Sequence, residues 1–491
     1  MSYSAYFSTT ALVAVLTIPG LGLAQEEAEG QTSPAPSDAD IVTSDSDTSG
    51  EVISAISATP EQDQAVGQSF RVDLADLPEP YQGPPVANAP LRATEVPNEL
   101  ALPEGFSATL FASGLEGPRQ GHVLPNGDLL VSMQQGGYIA LLRDTNDDGE
   151  ADIISRAFEP FTAPYGITHR EWTGEGDFDY EILIADLEGI WSQPYKTPNI
   201  RNVGAREQTV DETPVENRKP LFDFSGQDLL TESGVFGEMT GHVNRDIEIG
   251  PDGRLYVGVG SLGNISVEPE PKATIQSFAA DGSDQRTLVT GVRNPAGLDV
   301  HPKTGDVFAV VQERDGAGDN LVPDYLIRVD EGEFFGWPYS YMGDNPQPGF
   351  AQLEPDLVDS AEVPDLIFNP HSASMDLAFY EGDMFPERFR DGAFVALKGS
   401  WNRTQPTGYK VVFVPFSDGM PEGTYENFLT GFWSRGTDRA EVWGRPADVT
   451  VAPDGALYVV DDTGGTIWRV AYDDADGPAV DTDLDDAETS D

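Results

Sequence analysis

Polar turns and apolar strands alternate along most of this chain, and one phrase recurs. A turn built on Pro-Asp-Gly or Pro-Asn-Gly leads directly into a short apolar strand. The clear copies begin at Pro125-Asn126-Gly127, Pro251-Asp252-Gly253 and Pro453-Asp454-Gly455, and run into Leu129-Leu130-Val131, Leu255-Tyr256-Val257 and Leu457-Tyr458-Val459. Looser copies run from Thr304 to Val310, from Arg390 to Ala396 and from Tyr180 to Ala185. Asn-Gly and Asp-Gly tolerate positive φ, so they favour tight hairpins between strands. In most copies a further apolar strand precedes the turn, as in Leu298-Asp299-Val300 and Val449-Thr450-Val451.

Six such hairpins at irregular spacing, with no convincing amphipathic helix between them, predict an all-β six-bladed β-propeller whose blades carry loop insertions. The longest insertion runs roughly from Tyr195 to Glu238. A β-sandwich would have to produce the same phrase six times by coincidence.

Both flanks lack this pattern. Residues 25–90 are rich in Ser, Thr, Asp, Glu, Ala and Pro, and residues 473–491 are acidic and poor in apolar side chains, so both read as disordered segments around a folded body at 91–472. Before them, Ala11 to Leu23 is a short apolar run closed by Gly22-Leu23-Ala24, the pattern of a signal peptide over residues 1–24 cleaved after Ala24. Its head carries no Lys or Arg, and the run is short for a membrane anchor. The expectation is a periplasmic or secreted protein without a stable membrane span.

Charge narrows the partners. There are 84 acidic residues against 28 basic ones, a formal charge of −56, which repels nucleic acid and anionic membrane surfaces. An acidic surface with only six Lys suits solubility in a salty medium. Cysteine is absent, so disulfides, thiolate metal sites and thiol nucleophiles are excluded.

In a propeller, residues just ahead of each innermost strand converge on one end of the axis. Counting back from the hairpin turns gives His242 for the third blade, Arg293-Asn294 for the fourth, His371-Ser372 for the fifth and Arg445 for the sixth. The first blade offers Arg119-Gln120 and the second Thr162 to Tyr165. Several Arg in one pocket of so acidic a chain suit a polyanionic ligand, because planar guanidinium matches carboxylate or phosphate. Lys398 lies on a strand that can join them. Taken singly, each Arg is better explained by a local ion pair with Asp or Glu across a blade seam. His242 is the leading general base, since imidazole accepts a hydroxyl proton near neutral pH, and His371 is the second candidate. His122, His169 and His301 have no such distinction.

Four phrases resemble the pyrroloquinoline-quinone (PQQ)-dependent soluble sugar dehydrogenases, the glucose, aldose-sugar and sorbosone family, and most closely its sorbosone branch. They are Gly291-Val292-Arg293-Asn294-Pro295-Ala296-Gly297-Leu298, the run from Glu313 to Leu326, Phe335-Gly336-Trp337-Pro338, and Gly399-Ser400-Trp401-Asn402-Arg403. The resemblance spans about Leu102 to Val470.

It implies oxidation of an aldose or sugar aldehyde to lactone or acid, with His242 taking the hydroxyl proton as hydride passes to the quinone. Arg293 would contact the quinone oxygens with Asn294 beside it, Lys398 and Arg445 would bind the cofactor carboxylates, and Trp337 would wall the site. Carbonyls of Asp315 and Gly316 would hold a calcium ion, and a cytochrome or quinone would accept the electrons. Two positions depart from the glucose branch: Gly241 replaces the Asp that precedes the base there, and the Gln of its second blade is missing. The partner that orients His242 is therefore not among the motif residues.

A separate run, Asp144-Thr145-Asn146-Asp147-Asp148-Gly149-Glu150-Ala151-Asp152, places oxygen groups at Asp144, Asn146, Asp148 and Asp152 around a Gly, like the first half of a calcium loop. It lacks the twelfth-position Glu, so an acidic hairpin turn reads it equally well. Two other readings of the whole chain are a propeller lactonase or hydrolase, which needs an axial metal held by carboxylates, and a non-catalytic recognition propeller.

Overall fold

The recurring phrase builds six antiparallel sheets, each of four or more strands. In the computed structural model the described residues are 42–44, 51–83, 85–93, 100–198 and 226–473. The expected signal peptide, the tail beyond residue 473 and most of the long insertion lie outside them.

The sheets follow one another along the chain. We number them as blades one to six, with inner strands Pro118–Val123, Ile167–Glu171, Ile247–Ile249, Asn294–Val300, Ser374–Phe379 and Pro446–Val451. Each inner strand neighbours the next, and the sixth returns to the first, so the six close into a ring around an axis. The second strands Leu129–Met133, Gly392–Leu397 and Leu457–Asp461 are buried throughout, because both faces pack on adjacent blades. That burial explains their near-continuous apolar runs. Blade six takes its outer strand, Phe106–Ala112, from the start of the folded body and pairs it with Thr466–Tyr472 near its end. The two ends of the ring are thereby tied together.

Polar side chains on the inner strands, or in the case of Asp246 immediately before one, latch the seams. Oδ2 of Asp246 accepts the Leu298 N–H at 2.5 Å, Asp299 accepts that of Phe379 at 2.6 Å, Asp376 that of Val449 at 3.3 Å and Asp448 that of Gly121 at 2.9 Å. Gln120 does the same for Ile167 at 2.8 Å. Five of the six seams thus carry an inner-strand acceptor facing the next blade's main chain, which satisfies N–H groups that the ladder leaves over.

Residues 51–93 differ from the disordered linker that their composition suggests. Ile53–Ser54 pairs with Ser69–Arg71, which extends blade five by pairing with Tyr425–Leu429. Between them a short helix, Pro60–Gln64, is capped reciprocally by Thr59 and Gln62. Its Asp63 is buried against Lys410 at 3.2 Å and Thr407 at 2.7 Å. Further on, Tyr81 donates its N–H to the Ala317 carbonyl, Asn88 donates its N–H to that of Trp401, and Leu91–Arg92 pairs with Glu441–Val442. Few apolar residues suffice here because Phe70 and Ala55 add to a core that the blades already supply.

Candidate active site

His242 sits ahead of the third inner strand, where blade counting places it. Gly241 before it has φ +81°, and a side chain there would meet the Cα of Leu262 at 2.4 Å, so only glycine fits. The main-chain N–H of His242 donates to the Ser261 carbonyl at 2.9 Å, and the ring Nδ1 lies 2.9 Å from the same oxygen. A carbonyl can only accept, so Nδ1 carries the proton and Nε2 keeps its lone pair. The Ser261 hydroxyl, 3.0 Å from Nδ1, is itself committed as donor to the Gly263 carbonyl at 2.7 Å. Burial, and then the charge of Arg293, push the His242 pKa down to about 4. At neutral pH it is an uncharged base.

The partner missing from the motif is therefore a main-chain carbonyl. No side-chain pattern reports one.

Arg293, only 5% exposed, anchors the fourth blade's side of the site. Its guanidinium donates to the carbonyls of Glu313 at 2.8 Å and Asn264 at 3.1 Å and to Oδ1 of Asn264 at 3.1 Å, and it lies 3.4 Å from the Asp315 carboxylate. Asn294 donates to Gln312 at 3.1 Å, while its own Oδ1 is buried and accepts no hydrogen bond. A side chain at Gly260 would strike both that oxygen and the His242 Cβ, so Gly260 lets blades three and four bring Asn294 beside the base. Trp337 is buried and donates Nε1–H to the Asn264 carbonyl at 3.2 Å. Asn264 and Asn402 were not singled out by the sequence as site residues. Asn402, inside the Gly399-to-Arg403 phrase, joins Oδ1 of Asp315 at 2.7 Å to Nδ1 of His371 at 3.1 Å.

A second cluster gathers cations. Lys398 and Arg119 both bond Oδ2 of Asp462, and Arg445 donates to the carbonyls of Lys398 at 2.9 Å and Gly399 at 2.6 Å. Burial and the adjacent Arg119 bring the Lys398 pKa down to about 7, although Asp462 opposes this. Asp462 is held at about 2 by the surrounding cations, against its own burial. Three basic side chains around one carboxylate leave an excess of positive charge. The Gly399 N–H donates to the Ser372 carbonyl at 2.8 Å, tying this cluster to the segment that carries His371.

The expected calcium positions have different surroundings. The Asp315 carbonyl accepts from Arg314 at 2.7 Å and from Asn264 at 2.9 Å, whereas the adjacent carboxylate is part-exposed. Gly316 follows at φ +80°, and the Tyr81 hydroxyl accepts from Arg314 at 2.9 Å. Asp144 spends its carboxylate on the N–H groups of Asn146, Asp147 and Gly149, and Asn146 and Asp148 cap the N–H groups of Asp148 and Glu150. Asp152 accepts from both the N–H and the hydroxyl of Thr145. This is a self-satisfied acidic turn on blade one, remote in sequence from the axial residues. Among the described residues no three acidic or histidine side chains converge as a metal cage.

The axial residues fit an anionic quinone cofactor on two observations. The cation excess around Lys398 and Arg445 suits carboxylates, and the buried Oδ1 of Asn294, an acceptor without a partner beside His242, suits an N–H or O–H of a bound group. For calcium, the part-exposed oxygen ligand on the same loop is the Asp315 carboxylate, which already accepts from Asn402 at 2.7 Å.

An uncharacterised protein of Borreliella burgdorferi is 32% identical over 393 residues, covering 79% of this chain and 95% of that protein. The chain belongs to its family. Residues 357–473, which include the inner three strands of blade six and those of blade five, match the TrAA12-like family model. A pyrroloquinoline quinone-dependent pyranose dehydrogenase of Coprinopsis cinerea is 27% identical over 276 residues, 44% of this chain and 37% of that relative. Among solved structures, the holo PQQ domain of the Coprinopsis cinerea pyranose dehydrogenase superposes with a TM-score of 0.59 at 20% identity, over 76% of this chain and 97% of that domain. A calcium structure of a Trichoderma reesei family AA12 enzyme gives 0.55 at 18% identity, over 79% and 98%. These structures share the fold. The chain is thus distantly similar to a PQQ-dependent sugar dehydrogenase; the sorbosone branch is not singled out.

Proposed function

We propose that this protein is a six-bladed propeller dehydrogenase that oxidises an aldose or a sorbosone-like sugar aldehyde with bound PQQ and calcium. The observation that carries the reading is the neutral His242, its Nδ1–H tied to the Ser261 carbonyl and its Nε2 free as base, beside buried Arg293 and Asn294. Bound PQQ would supply a two-electron hydride acceptor, and calcium would supply Lewis-acid stabilisation of negative charge.

The chain's own residues do the rest. Nε2 of His242 takes the proton of the substrate hydroxyl as hydride leaves the adjacent carbon. A cyclic hemiacetal then gives a lactone, and a hydrated aldehyde gives an acid. Arg293 stabilises negative charge growing beside it, Lys398 and Arg445 bind carboxylates, and buried Trp337 keeps the wall dry. Export and a cytochrome or quinone acceptor complete the proposal.

The test is reconstitution of the full chain with PQQ and calcium, followed by dye reduction with a panel of aldoses and sorbosone. Cofactor-dependent reduction with at least one of them is expected. Reduction by none overturns the reading.

A further inference from the structure

The segment that leads into the base, Phe236 to Asn244, forms neither strand nor helix, so its carbonyls need donors from elsewhere. Arg245 and Lys272 supply several of them. Arg245, fully buried just after this segment, donates Nη1–H to the carbonyls of His242 at 2.9 Å and Asn244 at 2.5 Å. Lys272, 4% exposed, donates to the Glu238 carbonyl at 2.5 Å, and a side chain at Gly237 would meet the Lys272 Cε at 3.4 Å. The Arg245 guanidinium also lies 5.6 Å from the centre of the Phe236 ring. Two buried cations thus grip one irregular segment at both ends.

Packing alone gives no reason for charge here. Nε and Nη2 of Arg245 are buried without a hydrogen-bond partner among the described residues. Asp186, the acid whose charge acts on Arg245, commits both carboxylate oxygens to the N–H groups of Thr162, Glu188 and Gly189. An apolar side chain of similar length would avoid burying a cation with idle donors. Local rules of this kind are broken chiefly where function requires it.

We propose that Arg245, supported by Lys272, is a positioning residue for the reaction: it pins the main chain of His242 and keeps a fixed positive charge close to the imidazole. This rests on the reading of His242 as the base. The His242 N–H is held by the Ser261 carbonyl and the His242 carbonyl by Arg245, which leaves only the side-chain torsions, and the Nδ1–H bond to Ser261 fixes those. Arg293 acts on the ring from blade four, and Arg245 and Lys272 add to it from blade three. On the loop that carries Ser261, the Glu268 carboxylate is engaged by the N–H groups of Leu262 and Gly263. Burial lowers Arg245 to about 10, and burial with the charge of Arg245 lowers Lys272 to about 8, so both stay largely charged at neutral pH. A proton on His242 would meet three cations, which leaves Nε2 free to act.

The experiment follows the His242 imidazole by nitrogen NMR in the full chain without PQQ, with His242→Ala to assign its signal. Turnover is then measured with PQQ, calcium and an aldose. In the wild type the ring should titrate at about 4 as the Nδ1–H tautomer. Arg245→Met should raise that value toward the ordinary value of about 6.5. It should also lower turnover by about tenfold to a hundredfold, with PQQ affinity unchanged. Arg245→Lys, which keeps the charge and a donor, should recover most of both. Lys272→Met should move the titration in the same direction and serves if Arg245→Met does not fold. An unchanged His242 titration in a folded variant overturns the proposal. A wild type that reduces no dye fails the dehydrogenase reading instead, and the titrations still decide what Arg245 does to His242.

Discussion

Nδ1 of His242 and the main-chain carbonyl of Ser261 lie 2.9 Å apart, and that carbonyl also accepts the His242 N–H. One oxygen thus fixes both the backbone position and the tautomer of the base. His242→Ala should retain the absorbance of bound PQQ while turnover falls by about 10²–10⁴-fold, the usual share of a general base. Loss of folding instead would make His242 structural.

Gly241→Ala tests the same geometry from the other side. The added methyl meets the Leu262 Cα at 2.4 Å and must also sit at φ +81°, so the Ser261–Leu262 backbone has to move. Turnover should drop with little change in PQQ affinity. Single-turnover reduction of bound PQQ separates the two.

The pH dependence follows from the neutral base. With the His242 pKa at about 4, kcat/KM should hold as pH falls below the ordinary histidine value of about 6.5 and decline only as pH passes through about 4. The stability sign is the same: the unfolded imidazole binds a proton first, so the contribution of His242 to stability is present above pH 6.5 and is lost as pH falls toward 4. A kinetic limb at 6.5 would show that the buried, Arg293-flanked ring is not the base.

Arg293→Ala should weaken PQQ binding and slow the reaction together, because the guanidinium both holds the Glu313 loop and faces the base. Titration of cofactor absorbance and steady-state rates with a fixed sugar read the two effects. Unchanged values would break the axial-pocket argument.

Asp63→Ala should cost about 3–5 kcal/mol, the usual penalty for leaving one partner of a buried ion pair unpaired. Lys410 is 2% exposed and has Asp63 as its ion-pair partner. Denaturant unfolding, read as a lower midpoint, checks it; a surface-like change would mean that residues 51–93 add nothing to the fold.

The repeating turns made the sheets legible, because Asp-Gly and Asn-Gly between apolar runs encode hairpins locally. The same count placed His242, Arg293, His371 and Arg445 at strand starts without any coordinates. The strap at 51–93 was not legible, since its apolar residues gain a core only from blades distant in sequence. The axial acids were hidden for a related reason. Asp246, Asp299, Asp376 and Asp448 look like ordinary alternating polar residues until the ring closes and turns them toward one another.

By itself, then, the sequence determined the hairpins, the cation-bearing ends of the inner strands and the place of a histidine ahead of the third. Only the tertiary structure decided what each of them meets. The Ser261 carbonyl is met by His242 within blade three, whereas the carboxylate of Asp462 between Lys398 and Arg119 is a pairing across blades. The first is a main-chain acceptor that no side-chain pattern reports, and the second arises from closure of the ring, which no local pattern of residues records.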